Sequence, residues 1–211
     1  MGARAGIVAG DRVVLTSPDR DEFVERWRLF DDPLLTMLLG APTAAPGAHV
    51  RTMPPASRQH REALYEEHVA RRILCFDVRE GDPGGRCVAE AYLADLAWPR
   101  ASGELCVVVL APEDRGKGFG SEAAILLCAY AFDGLGLNRV CGRFPVDNRG
   151  AGAALERHGA GVGARVVGVE RESEWVFGRH ADVTLWEVLR GEFPPHPATA
   201  DLRTPPSELP G

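Results

Sequence analysis

Residues 105–127 read Leu105-Cys-Val-Val-Val-Leu110, Ala111-Pro-Glu-Asp114, Arg115-Gly-Lys-Gly-Phe-Gly120 and Ser121-Glu-Ala-Ala-Ile-Leu-Leu127. An apolar, β-branched run of strand length ends at a proline turn, and a glycine loop then opens directly onto a helical pattern. The first N–H groups of such a helix have no partner inside it, and its peptide dipoles place positive charge at the same end. Gly116, Gly118 and Gly120 let the main chain approach an anion closely, while Arg115 and Lys117 add charge. Strand, glycine loop and helix in this order form a phosphate-binding arrangement.

Other glycine-loop patterns fail on this stretch. A P-loop needs G-x-x-x-x-G-K-[ST], but position 111 is Ala and Lys117 is followed by Gly118. A dinucleotide fingerprint starting at Gly116 would need a third glycine where Ser121 stands. The cluster Gly159-Ala-Gly-Val-Gly-Ala164 spells G-x-G-x-x-A but follows a helix and precedes a strand, the reverse of the required order, and reads as a helix stop.

Upstream of the loop, Arg12–Thr16 reads as a first strand, with Ser17-Pro18 capping a helix on which Phe23, Trp27 and Phe30 form one apolar stripe. Residues 40–56 are too rich in Pro and Gly for a regular element and form a long loop, expected over the acceptor site. Ser57 can cap a second helix to about Arg71. Ile73–Arg79, Arg86–Trp98 and Glu104–Leu110 then form an antiparallel meander joined by two hairpin connections.

Downstream come a helix over Ser121–Phe132, a strand over Arg139–Val146, a helix over Gly150–His158 and strands over Arg165–Glu172 and Asp182–Leu189. The class is α/β, with a mixed, mostly antiparallel sheet of about six or seven strands flanked by helices, and the loop between the fourth strand and the third helix. A single domain is expected over residues 10–191. The tail 192–211, with six prolines and little to bury, is expected to be poorly ordered.

The chain has 211 residues, with 24 basic and 30 acidic side chains and a net charge of −6, which lacks the footprint of a nucleic-acid binder. No apolar run is long enough to span a bilayer, and Met1–Gly6 lacks a signal-peptide core, so a cytoplasmic protein is expected. Five cysteines stand singly, with neither a disulfide frame nor a metal-ligand spacing. Lys117 is the one lysine among 24 cations, so the background composition does not account for its place in the loop.

The pattern R/Q-x-x-G-x-G/A, met by Arg115, Gly118 and Gly120, resembles the GNAT superfamily of acyl-CoA-dependent acyltransferases. Glu122-Ala123 resembles its ribosomal-protein-alanine acetyltransferase (RimJ/RimL-like) branch. Val146-Asp-Asn-Arg-Gly-Ala-Gly-Ala-Ala-Leu-Glu-Arg-His-Gly159 is similar to the family's Asn-led helix, and Leu185-Trp-Glu-Val-Leu-Arg190 to that branch's terminal strand. The resemblance covers roughly residues 10–190. It implies acetyl-CoA, or another acyl-CoA, as co-substrate, with its pyrophosphate on Arg115, Gly116, Lys117, Gly118, Phe119, Gly120 and Ser121. It further implies that the backbone of Val108, Val109 and Leu110 pairs with the pantetheine arm, that Asn148 holds that arm, and that a homodimer forms.

Acyl transfer needs a deprotonated amine and a polarised thioester carbonyl. Glu104, eleven residues before Arg115, is the candidate base, at an offset where some GNAT enzymes carry a catalytic glutamate. His180 is an alternative base, Trp175 and Trp186 candidates to shape an acceptor pocket, and Asp95 and Glu90 candidates to attract a cationic amine. Core or solvated roles compete for each of these. Leu155 stands where many relatives place a tyrosine acid, Ala151 where they place a serine, and Ala160 where they place an aromatic. The expected activity is acetyl transfer to an amine of a small molecule or a protein N-terminus by direct attack in a ternary complex. A non-catalytic acyl-CoA-binding regulatory module is the alternative.

Overall fold

The computed structural model describes residues 6–31, 57–176 and 178–203. The chain runs β1 (Gly6–Ala9), β2 (Val13–Thr16), α1 (Arg20–Glu25), α2 (Arg58–Ala70), β3 (Leu74–Glu80), β4 (Cys87–Ala97), β5 (Ser102–Val109) and α3 (Phe119–Asp133). It continues with β6 (Arg139–Pro145), α4 (Arg149–His158), β7 (Arg165–Val176), β8 (Arg179–Leu189) and a short α5 (Ala200–Arg203). The described residues make one eight-stranded sheet in the order β1-β2-β3-β4-β5-β6-β8-β7, antiparallel throughout except where β5 meets β6. This is the expected mixed sheet with one more strand, β1. The glycine loop therefore follows the fifth strand rather than the fourth.

Two local expectations shift. The first helix is capped by Asp19, whose carboxylate accepts from the Glu22 N–H at 3.0 Å, and not by Ser17. It tightens into a 3-10 turn at Arg26–Asp31, so Phe23 is fully buried while Trp27 and Phe30 are only half-buried. The second helix starts as expected, with the Ser57 hydroxyl accepting from the His60 N–H at 3.1 Å. The loop at 40–56 lies outside the described residues.

One face of the sheet packs on α3, whose Leu126, Leu127 and Phe132 meet Val13, Leu15 and Leu93 in the main core. The helix is buried on most of its circumference, which suits a segment of near-continuous apolar residues. The other face carries charge under α1 and α2. Glu90, fully buried, accepts from Arg26 Nε at 2.8 Å, from Arg61 Nη2 at 2.6 Å and from the Tyr92 hydroxyl. Asp77 accepts from Arg26 Nη2 at 2.6 Å and from Arg79 Nη2 at 2.7 Å. Burial pushes the Glu90 carboxyl up, but Arg61 and Arg26 outweigh it and hold the group below the usual carboxylate range. Glu90 is thus saturated by its own chain and does not face an incoming amine.

The tail departs from its expectation over residues 192–203. A 3-10 turn at Pro197–Thr199 leads into α5, and the buried Thr199 donates to Asp133 Oδ2 at 2.6 Å, joined by Arg203 Nη1 at 2.9 Å. Phe193 packs on Phe132 with ring centroids 5.3 Å apart. One aromatic and two polar contacts dock this stretch despite its prolines; residues 204–211 lie outside the description. Among the described residues, no helix is long and apolar enough to cross a membrane.

Candidate active site

The sheet ladder ends at Leu110, whose N–H donates to the Val88 carbonyl at 3.0 Å. A 3-10 turn over Pro112–Asp114 follows, and the chain then passes Gly116 at φ +78° and Gly118 at φ +90° before α3 begins at Phe119. Gly118 is the helix cap and makes no side-chain bond to the first turn, so among the described residues no cap side chain occupies the N–H groups there. Phe119 turns its ring into the core and can offer only its main chain. At Gly120 a β-carbon would lie 3.1 Å from Val109 Cγ2, which sets how closely the helix sits on β5.

The loop's charges are tied together. Asp114, almost fully buried, binds Arg86 Nη2 at 3.1 Å and Lys117 Nζ at 3.0 Å, and the Arg86 hydrogen bonds hold its carboxyl down at about 2. Lys117 is therefore anchored beside the loop, with its side chain half-exposed. A pair that sequence reading did not assign lies opposite: Arg12, from the β1–β2 turn, donates through Nη1 to the Lys117 carbonyl at 2.7 Å and through Nε to Glu122 Oε2 at 2.9 Å. The one available signal was Glu122 itself, noted as part of a motif but given no partner.

β5 and β6 are parallel, and their pairing runs only from Ser102↔Arg139 to Glu104↔Cys141. Beyond Glu104 they separate, leaving one edge of β5 unpaired by β6. Main-chain groups alternate sides along a strand, so the Leu110–Val88 bond fixes which residues face the gap. The main-chain groups of Val108 and Leu110 are thus turned to β4, and those of Val107 and Val109 face the gap. Parallel strands also bring their ends together, so Asn148, just after β6, stands at the same end as the glycine loop. Its side-chain oxygen caps α4, accepting from the Ala151 N–H at 3.1 Å, and its amide hydrogens take no part in that bond.

Glu104 sits where the gap begins, opposite Ala94 on β4. The β4–β5 register slips between Ala94 and Ala97, with Asp95 at φ +48°, and the β7–β8 register slips between Glu170 and Glu174, with Glu172 at φ +50°. Bulges of this kind re-aim side chains and recur beside active sites. Burial raises the Glu104 carboxyl above its ordinary value; Arg143 opposes the shift, and Asp95, Glu174 and Glu170 add to it. Arg143 is itself bound to Glu170 at 3.0 Å and Glu174 at 3.2 Å. His180 is exposed and meets the Trp175 ring edge-on at 5.0 Å across the β7–β8 hairpin, while Trp186 lies flat against Gly142 of β6. Trp186 packs against the main core, on the sheet face opposite Glu104. No cluster of three or more metal-ligating side chains occurs among the described residues.

The family model of the acetyltransferase (GNAT) domain matches residues 12–161. No curated protein matches the chain by sequence. A spermidine N-acetyltransferase from Vibrio cholerae, solved with CoA and spermine, superposes with a TM-score of 0.69 at 20% identity, covering 85% of this chain and 96% of that one. A chimera built on a spermidine N-acetyltransferase from Vibrio cholerae gives 0.64 at 20%, over 86% and 97% of the two chains. A probable acetyltransferase gives 0.66 at 21%, over 87% and 96%. At these identities the likeness shows the fold, and the family match covers both the glycine loop and the β5–β6 gap. The chain belongs to the GNAT acetyltransferase family and is an acyl-CoA-dependent N-acetyltransferase.

Proposed function

We propose that the protein, as a RimJ/RimL-like member acting in the cytoplasm, transfers acetyl from acetyl-CoA to the amine of a small cationic molecule by direct attack in a ternary complex. The observation that carries this reading is Glu104, with its raised carboxyl, at the mouth of the β5–β6 gap within the field of Asp95, Glu170 and Glu174. Bound acetyl-CoA supplies the thioester. The first-turn N–H groups of α3 and the cations Arg115 and Lys117 hold its diphosphate, and the capless, positive-φ geometry of Gly118 fits that group. The backbone of Val107 and Val109 pairs with the pantetheine arm, and Asn148 steadies it through its amide hydrogens.

Glu104 takes the ammonium proton, directly or through one water, and the raised carboxyl brings its basicity closer to that of an amine. Asp95, Glu170 and Glu174 outnumber Arg143 among the charges that act most strongly on Glu104, and draw a cationic acceptor to the mouth. Leu155 offers no acidic proton, so water protonates the leaving group. Unpaired cysteines at Cys75, Cys87, Cys106, Cys128 and Cys141 support a reducing compartment.

The test is acetyl transfer from acetyl-CoA to a panel of amines: spermidine and spermine, monoamines, amino acids and a short peptide N-terminus. Cationic amines are expected to give the highest kcat/KM, and Glu170→Gln/Glu174→Gln to raise their KM about tenfold, or about 1.4 kcal/mol, with the acetyl-CoA KM unchanged. A preference for neutral or anionic amines would contradict the proposal.

A further inference from the structure

We infer that Arg12 is a positioning residue for the coenzyme, which sets one peptide of the glycine loop so that its N–H faces the diphosphate. A trans peptide points its C=O and N–H in opposite directions. Arg12 Nη1 holds the Lys117 carbonyl at 2.7 Å, so the Gly118 N–H of the same peptide is turned away from Arg12 and out over the loop. The guanidinium also closes the near side of Gly118, where a β-carbon would lie 2.8 Å from Nη2 and 2.9 Å from Nη1.

Arg12 is in turn held by Glu122, from the first turn of α3. The Glu122 carboxylate accepts from Arg12 Nε at 2.9 Å and from the main-chain N–H groups of Arg12 at 2.8 Å and Val13 at 3.4 Å. Gly10 makes this approach possible, because a β-carbon there would lie 2.4 Å from Glu122 Oε1. The Arg12 charge is matched by Glu122, so its contribution is orientation more than attraction. Without the brace, Gly116 and Gly118 leave the intervening peptide able to flip, and a flipped Lys117 carbonyl would face the phosphates.

This inference rests on the coenzyme lying over residues 115–120, and the experiment separates the two. Calorimetric titration with CoA and with 3′-dephospho-CoA, and steady-state kinetics with a working amine, are measured for the unchanged protein, Arg12→Ala, Arg12→Lys and Arg115→Ala/Lys117→Ala. Arg12→Ala is expected to weaken both coenzymes by the same factor, about tenfold, and to raise the acetyl-CoA KM alike while kcat at saturation and the amine KM hold. Arg12→Lys should recover part of the loss, since an ammonium can reach the Lys117 carbonyl but cannot serve Glu122 in the same planar geometry. It also carries the test if the alanine variant does not fold. Unchanged affinity in a folded Arg12 variant would overturn the inference. So would a loss confined to CoA over 3′-dephospho-CoA, which would make Arg12 a direct ligand of the 3′-phosphate. Failure of the coenzyme site itself would show as unchanged binding in Arg115→Ala/Lys117→Ala.

Discussion

Replacing Glu90 by alanine is expected to destabilise the protein by about 3–5 kcal/mol, because it leaves the Arg26 and Arg61 guanidiniums facing each other in a buried site with their shared acceptor gone. At roughly 2–4 °C per kcal/mol for a domain of this size, the melting temperature should fall by about 6–20 °C. Arg61 spans two layers, since it also donates to the Phe23 carbonyl at 3.0 Å and lies over the Phe23 ring at 3.5 Å. The lost carboxylate therefore loosens α1 and α2 from the sheet face that carries Glu104. Urea unfolding checks the figure, and a loss below about 1 kcal/mol would show that water reaches the cluster and screens it.

Glu104→Gln is expected to lower kcat by about 10²–10³-fold while acetyl-CoA still binds, as for the removal of a general base. The two proteins should also differ in pH dependence. With Glu104 the rate rises as its raised carboxyl loses its proton, and that limb should vanish from the variant's profile. Stability has the opposite sign. A carboxyl whose pKa is raised on folding favours the folded state fully below the unfolded value of 4.5, and that contribution is lost as pH rises through the raised value. At pH 7 the glutamine variant should thus melt higher than the unchanged protein, with the gap closing below pH 4.5. Full activity in the variant would remove Glu104 from the chemistry, while a lower melting temperature at pH 7 would contradict the burial cost assigned to its charge.

The glycine loop was legible in the sequence because its cause is local: the strand, the two positive-φ glycines and the start of α3 occupy consecutive residues. The Ser57 cap and the β3–β5 meander were legible for the same reason. Arg12 and Glu122 were not paired because they lie 110 residues apart and meet only once β2 packs beside α3. Glu90 and Asp95 both read as candidates on one strand, and only the depth of packing separates them, since Glu90 is sealed between two arginines and Asp95 is exposed at a bulge. Which residues of β5 face the gap was not legible because it turns on a period of two: sequence shows that the strand passes the gap, while the register with β4 decides which residues face it. β1 was missed because Gly6-Ile-Val-Ala9 lies between glycines and lacks the β-branched run that marks Val13–Thr16, a strand of the same length.

The most direct measurement is the melting temperature with and without acetyl-CoA, run beside Arg115→Ala/Lys117→Ala. A ligand at about 100 times its dissociation constant adds roughly 2.7 kcal/mol, so a rise of several degrees is expected, with free CoA producing a similar rise. The double variant should melt near the unchanged protein without ligand and lose most of the rise with it. No rise in the intact protein, or an undiminished rise in the variant, would contradict a coenzyme held at Arg115–Gly120.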